Sequence, residues 1–160
     1  MVTFHGEAHT KLEILHKKQK HAARIIHFQS KFHHSQPLLI NMKALNMFQL
    51  NLYKHSCFMY QIQKGLTPKA FQNVFTITNN KYSTRSCGSF YKPFYRMSSS
   101  RFAISYRGPS IWNKVSTFKP LLQVKSYQEF KTLVKTNILA FSLDEVLNLF
   151  WMFIPLDIHV

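Results

Sequence analysis

The histidines and cysteines of this 160-residue chain are its first candidates for catalysis or metal binding. His16, His21 and His27 are five and six residues apart, whereas two ligands on one helix face need a spacing of three or four. His55 and Cys57 are two apart, which points their side chains away from each other on a helix. The chain has no CxxC pair. The sequence therefore predicts no metal site, no catalytic thiol and no cofactor.

The positions of the six acidic residues exclude most hydrolytic and polymerising chemistry. No carboxylate occurs between Ile14 and Gln128. Polymerases and nucleases need clustered Asp or Glu to hold Mg²⁺, and glycosidases and aspartic proteases need paired carboxylates. We therefore expect this chain to be no enzyme by itself.

The same acid-free stretch holds most of the positive charge. The chain has 21 Lys and Arg against 6 Asp and Glu, a formal net charge of +15. Only Lys11, Lys131 and Lys135 lie outside the stretch. So strong a basic excess favours a polyanionic partner, nucleic acid first and an anionic membrane surface second.

Two groups of residues are candidates for contact with nucleic acid, because Lys and Arg neutralise phosphates and exposed aromatic rings stack on unpaired bases. The first group is Lys17, Lys20 and Arg24. The second is Lys81, Tyr82, Arg85, Tyr91, Lys92, Arg96, Arg101 and Arg107. The alternative for both groups is that the cations only face water and the aromatic rings pack over the core.

Local signals predict the helices that would position the first group. Thr10 and Glu13 have the spacing of a capping box, so a helix should run from Lys11 to about Phe28. Lys17, Lys20 and Arg24 then share one flank of this helix. Its apolar stripe is predicted to be Leu12, Leu15, Ala22, Ala23 and Ile26.

Further helices follow along the chain. Pro37 suits the first turn of a helix that continues through Leu45. Asn46 is the predicted N-cap of a helix from Met47 to Lys64, with Gly65 just after its end. That helix is apolar on several sides, so it should lie at the centre of the core and pack against the first helix. Thr67-Pro68 restarts a short helix toward Val74.

The segment from Phe75 to Ser100 lacks helical periodicity and is rich in Asn, Ser and Gly, which is typical of loops. Arg101–Arg107 alternates between apolar and polar residues like a strand, and Gly108-Pro109 should end it. A short turn of helix is expected around Ile111–Val115. A second capping box, at Ser126–Glu129, opens a helix to about Leu139 with the apolar face Phe130, Leu133, Val134 and Ile138.

These elements predict a mainly α fold, a small helical module with a loop-rich segment around residues 75–108 that has room for short strands. We divide the chain into an N-terminal extension (1–10), the helical module (11–140) and an unrelated apolar tail (141–160). The apolar run of the tail is shorter than the roughly 18 residues that a membrane span needs. No stretch near the N-terminus has the apolar core of a signal peptide, so a cytoplasmic or nuclear location is expected, without secretion.

Three segments, in this order, resemble the region that follows the polymerase core in reverse transcriptases of non-LTR retrotransposons, the jockey-like and related LINE-type elements. Leu12–Ile26 is similar to the family's LxxLQKKAxRII helix. Pro37–Leu39, Leu52–Tyr53, Met59–Tyr60 and Gly65–Phe71 are similar to the next part. Tyr82–Arg85, Arg101–Phe102, Tyr106–Asn113 and the Ser126–Leu139 helix are similar to the third.

This resemblance implies that the chain is a C-terminal fragment of a retrotransposon RNA-directed DNA polymerase. In such proteins the metal-binding aspartates belong to upstream domains, and no position here matches a catalytic residue of the family. We therefore expect a basic nucleic-acid-binding module whose partners are RNA or DNA and the upstream polymerase domains. The alternatives are a non-functional remnant, or a protein-interaction domain with an incidental basic surface. Peripheral membrane binding is a weaker alternative.

Overall fold

The computed structural model describes residues 4–78, 89–96, 103–115, 124 and 126–140. Six helices lie within these ranges: α1 (Phe4–Ile26), α2 (Ser35–Asn41), α3 (Met47–Gln63), α4 (Lys69–Gln72), α5 (Ile104–Val115) and α6 (Tyr127–Ala140). The only strand-like pairing in the described ranges joins Ile77 to Phe90 in an antiparallel arrangement. The prediction of a mainly α fold is confirmed.

Helix α3 lies at the centre of the core, as predicted. The Asn46 side chain accepts a hydrogen bond from the Gln49 N–H at 2.8 Å, and the Gln49 side chain accepts one from the Asn46 N–H at 2.9 Å, which completes a capping box. The helix packs against α5, α6 and α1. On α3, the Tyr60 ring stacks on Phe130 of α6 with 4.0 Å between the ring centroids. Burial on several sides explains why α3 has no single apolar face.

Three helices end in the same backbone motif. After α1, the N–H groups of Phe28 and Gln29 donate to the carbonyls of Ile25 and Arg24, and equivalent pairs of bonds close α2 and α3. The motif places the second residue past the helix in the left-handed region. That residue is Gly65 (φ 67°) after α3, but Lys43 (φ 51°) after α2 and Phe28 (φ 52°) after α1.

The predictions for α1 need two corrections. The helix begins at Phe4, so Thr10 lies inside it and is not its N-cap. The buried side also differs in part, since Ala23 is buried as predicted, but Leu15 and Ile26 are exposed and His16, outside the predicted stripe, is buried. The cause is tertiary packing. Ala23 packs into a cluster with Leu38 and Leu39 of α2, and His16 lies against Phe48 of α3.

The strand predicted over Arg101–Arg107 is wrong for the residues that the structure describes. Helix α5 runs from Ile104 to Val115 without interruption, with Gly108 and Pro109 inside it. Gly108 allows the close approach of α5 to α3, because a Cβ atom there would lie 2.6 Å from the Met59 Sδ. Packing of this face outweighs the low helix propensity of Gly and Pro.

The remaining helices agree with the predictions except at their ends. Helix α2 has Pro37 in its first turn but stops at Asn41, before the predicted Leu45. Helix α4 follows Pro68 but ends at Gln72, before the predicted Val74. Helix α6 follows Ser126 and buries Phe130, Val134 and Ile138 as predicted. No helix in the described ranges is long and apolar enough to cross a membrane, and the tail (141–160) lies outside them.

Candidate nucleic-acid interface

The second group of predicted residues flanks a short antiparallel pairing. Ile77 pairs with Phe90, the Thr78 N–H donates to the Ser89 carbonyl at 2.8 Å, and the Tyr91 N–H donates to the Thr76 carbonyl at 2.7 Å. This pairing fixes where the segment 89–96 begins. Lys81, Tyr82 and Arg85 fall between the two paired stretches, and they and Arg101 lie outside the described residues.

Asn113 of α5 holds the segment 89–96 in place. Its side-chain NH₂ donates to the Phe90 carbonyl at 2.9 Å, and its side-chain oxygen accepts from the Phe90 N–H at 3.0 Å. The Phe90 ring is buried against Phe75 and Trp112, with centroids 6.3 and 6.4 Å away. Both main-chain polar groups of Phe90 are therefore satisfied by one side chain, and the residues that follow start from a fixed point.

Beyond this anchor the segment exposes aromatic and basic side chains together. Tyr91 is 58% exposed and Phe94 is 85% exposed. Lys92 and Arg96 are exposed as well. Tyr95 is half-buried, and its hydroxyl shares a 2.8 Å hydrogen bond with the Ser105 hydroxyl at the start of α5. Two open rings beside two cations can stack bases and neutralise phosphates at the same place.

Lys114 is a member of this surface that the sequence reasoning missed. It follows Asn113 on α5 and is half-buried. Burial lowers its pKa, and the nearby charge of Lys92 lowers it further. Two ammonium groups that repel each other form a place where an anion would bind favourably. The only signal in the sequence is a basic residue, because the effect of the Lys92 charge on Lys114 depends on where the Asn113 anchor holds the segment 89–96.

The first predicted group lies on one flank of α1. Lys17 is exposed, whereas Lys20 and Arg24 are half-buried. The Arg24 Nε donates to the His33 carbonyl at 2.8 Å. Helix α1 packs on α2 and α3, while the segment 89–96 is fixed to α5. The predicted residues thus form two groups, on separate elements.

Arg107 does not belong to either exposed group. Its side chain is only 6% exposed, and burial lowers its pKa to about 10. Burial lowers the pKa of His55 on α3, and the charge of Arg107 lowers it further. We therefore exclude Arg107 from the candidate surface.

The remaining titratable groups in the described part of the chain form no cluster of metal ligands. No three His, Cys, Asp or Glu side chains there come together as ligands. Cys57 is buried, and burial raises the pKa of its thiol, which makes it a poor nucleophile. The His55 ring nitrogen Nδ1 bonds the Asn51 carbonyl within its own helix at 2.8 Å.

The geometry of the surface formed by Tyr91, Lys92, Phe94, Arg96 and Lys114 is suited to binding an extended polyanion that carries aromatic groups. Its parts are held by α5, which is itself packed on α3. The comparisons with known proteins add nothing to this, since no family model, no curated protein and no solved structure matches the chain.

Proposed function

We propose that this chain is a basic module that binds RNA or DNA and has no catalysis of its own, and that it is the C-terminal part of a retrotransposon reverse transcriptase. The observation that carries the binding function is the anchored segment 89–96, where exposed Tyr91 and Phe94 alternate with exposed Lys92 and Arg96. Phosphate contacts would supply affinity, and the rings would favour unpaired bases.

The assignment to a retroelement rests on the resemblance of three segments. In the fold these segments correspond to α1, to α2 through α4, and to α5 and α6. They therefore include the helices that build the core around α3. A module of this kind would hold template RNA or target DNA for a polymerase active site supplied by other domains.

A second candidate function is a protein-interaction domain with an incidental basic surface. It is favoured by four exposed aliphatic side chains on α1, namely Ile14, Leu15, Ile25 and Ile26. Binding of nucleic acid does not require so many exposed aliphatic side chains, whereas such a patch is typical of a surface that binds another protein. This candidate predicts that the chain binds oligonucleotides only weakly and without preference for the surface at 89–96.

Salt dependence of oligonucleotide binding tests the proposal. Each phosphate contact contributes about −0.7 to the slope of log K against log salt for single strands. Replacing Lys92 and Arg96 with Gln should make the slope shallower by about 1.4, and replacing Lys17, Lys20 and Arg24 should make it shallower by about 2. Tyr91→Ala should lower affinity and leave the slope unchanged, because stacking releases no counterions.

A charge-matched control separates local contacts from net charge. Lys54 and Lys135 are exposed on α3 and α6, outside both groups. Replacing both with Gln removes the same charge as the Lys92 and Arg96 pair, but should leave the slope close to that of the parent chain. If the control and the Lys92 and Arg96 variant give the same slope, binding is diffuse and the proposed surface is wrong.

A further inference from the structure

Phe28 occupies a position that is costly for a phenylalanine. It follows the C-terminal end of α1 in a left-handed conformation, φ 52°, and its side chain is 98% exposed. The equivalent position after α3 is Gly65. A bulky residue with positive φ is strained, and an apolar ring in water gains nothing from packing. The two backbone hydrogen bonds that close α1 hold Phe28 in this conformation, but nothing in the fold covers its ring. A strained position that carries an exposed ring is a candidate for function.

The loop around Phe28 presents a second ring and several polar groups. Phe32 is 83% exposed, and the Lys31 ammonium lies 5.0 Å from its ring centroid. The Arg24 Nε bonds the His33 carbonyl at 2.8 Å, and the His33 N–H donates to the Ser30 carbonyl at 3.1 Å. These bonds tie the loop to the basic flank of α1. The two exposed rings are therefore carried on a shaped loop next to Arg24.

From this geometry we infer that the loop from His27 to His34 is a single-strand-binding site, in which Phe28 and Phe32 stack on unpaired bases while Lys31 and Arg24 contact the phosphates. The site is separate from the segment 89–96, and the inference rests on the proposed function only in that the ligand is nucleic acid. Bases in a duplex already stack on each other, so the loop should prefer single strands.

The composition of the loop favours bases over a lipid surface. Residues 27–34 read HFQSKFHH and include no aliphatic side chain. Helices and loops that bind bilayers combine aromatic residues with Leu or Ile, and the aliphatic side chains nearest in sequence, the exposed Ile25 and Ile26, belong to the last turn of α1 and not to the loop. Amide, hydroxyl and imidazole groups can instead bond the edges of unpaired bases. The loop also lies within the acid-free stretch, and Glu13 is about 20 Å before the end of α1. A phosphate backbone meets no repulsive carboxylate of α1 near the loop.

A variant that relieves the strain while it removes the ring tests the site without unfolding it. Phe28→Gly should raise Tm by about 2–4 °C, because glycine suits the left-handed position. It should also weaken binding of a single-stranded oligouridylate of about 12 nucleotides by about 10-fold, the value of one base stack. Phe28→Tyr should restore binding. Phe32→Ala should weaken it as well, and neither ring substitution should change the salt slope.

Two controls separate stacking from charge and from stability. Heparin has no bases, so its affinity should be the same for the parent chain and for Phe28→Gly. Lys43→Gly relieves the same left-handed conformation after α2, and should raise Tm without the loss of oligonucleotide affinity that is specific to the ring.

The parent chain should bind a duplex of the same length more weakly than the single strand, and Phe28→Gly should reduce that difference.

Several results would overturn the inference. If the parent chain binds the oligonucleotide and both Phe28→Gly and Phe32→Ala bind it equally well, the loop is no base-stacking site and the proposed function still stands. If Phe28→Gly abolishes binding to vesicles rich in phosphatidylserine and leaves oligonucleotide binding intact, the loop is a lipid contact. If the parent chain binds no nucleic acid, the proposed function fails first and the inference with it.

Discussion

His16 occupies a buried place between α1 and α3 where an aliphatic side chain would be expected. It is only 8% exposed, and its ring meets the edge of Phe48 with 5.2 Å between centroids. Burial lowers its pKa, and the charge of Lys20 lowers it further. Burial likewise lowers the pKa of His55 on α3. The fold therefore favours the neutral form of both rings.

Stability should consequently fall in mild acid. Below the unfolded-state value of 6.5 the unfolded chain takes up protons that the folded chain resists, so the free energy of unfolding is largest above that pH and falls as pH decreases through the lowered pKa values. Urea unfolding at about pH 8 and about pH 5 measures the loss. His16→Leu should make the loss smaller.

His21→Leu is the control for this prediction, because His21 is exposed on the same helix. As pH decreases, the unfolding free energy of the His21→Leu variant should fall as much as that of the parent chain. An equal reduction of the pH effect in both variants would show that burial of His16 is not the cause.

Individual side chains show why the candidate site could be predicted only in part. Residue type and spacing suggested that Tyr91, Lys92 and Arg96 contact nucleic acid, and all three are exposed. The same reasoning placed Arg107 with them, although its side chain is only 6% exposed. Lys114 was missed. Burial and neighbours across the fold depend on packing, which a local pattern does not contain.

Among the helices, α3 was predicted well at both ends. Asn46 and Gly65 indicated these ends, because a cap and a left-handed residue act locally. The buried side of α1 was predicted wrongly in part, because no local signal marks it. Its apolar residues lie on more than one side, and only the position of α2 beside Ala23 decides which side is covered. Periodicity cannot choose between two apolar rows.

Only the end of α5 was predicted, as a short turn of helix around Ile111–Val115, because Gly108-Pro109 reads in isolation as the end of a strand. In the fold, Gly108 lets α5 contact Met59, and the Pro109 side chain is fully buried. Packing against α3 compensates for the hydrogen bond that Pro109 cannot donate. Gly108 is thus a contact residue of a helix rather than the end of a strand.

Gly108→Ala tests this role. In an exposed helix the change would stabilise by about 1 kcal/mol, since alanine is the better helix former. Here we expect it to destabilise by about 1–3 kcal/mol, because the new methyl group would lie 2.6 Å from the Sδ of fully buried Met59. Chemical denaturation of the purified variant gives the change in unfolding free energy.

A double-mutant cycle supplies the matched control. Met59→Ala removes the atom that the methyl group would meet, so Gly108→Ala should cost less in that background than in the parent chain. Equal costs in the two backgrounds, or a stabilising Gly108→Ala in the parent, would mean that α5 does not approach α3 as closely as described.

Over the whole molecule positive charge far exceeds negative charge. The net charge is +15, and the acid-free stretch includes α2 through α5. An excess of cations over carboxylates is self-repulsive in the compact state, and this repulsion opposes folding. The same repulsion makes the surface attractive to any polyanion. The same excess charge therefore opposes folding and favours binding, so added salt should act on the two in opposite directions.

We expect chloride salt to have opposite effects on folding and on binding. Raising NaCl from about 50 mM to about 500 mM should raise Tm, because the Debye length shortens and self-repulsion is screened. The same change should weaken oligonucleotide binding steeply. At low salt, heparin should raise Tm by mass action, as any ligand of the native state does. Chloride is preferred to sulfate because sulfate also strengthens apolar burial. A Tm that is unchanged or lower at high NaCl would show that the cations are too far apart to repel one another, and would remove the electrostatic reason for expecting a polyanionic partner.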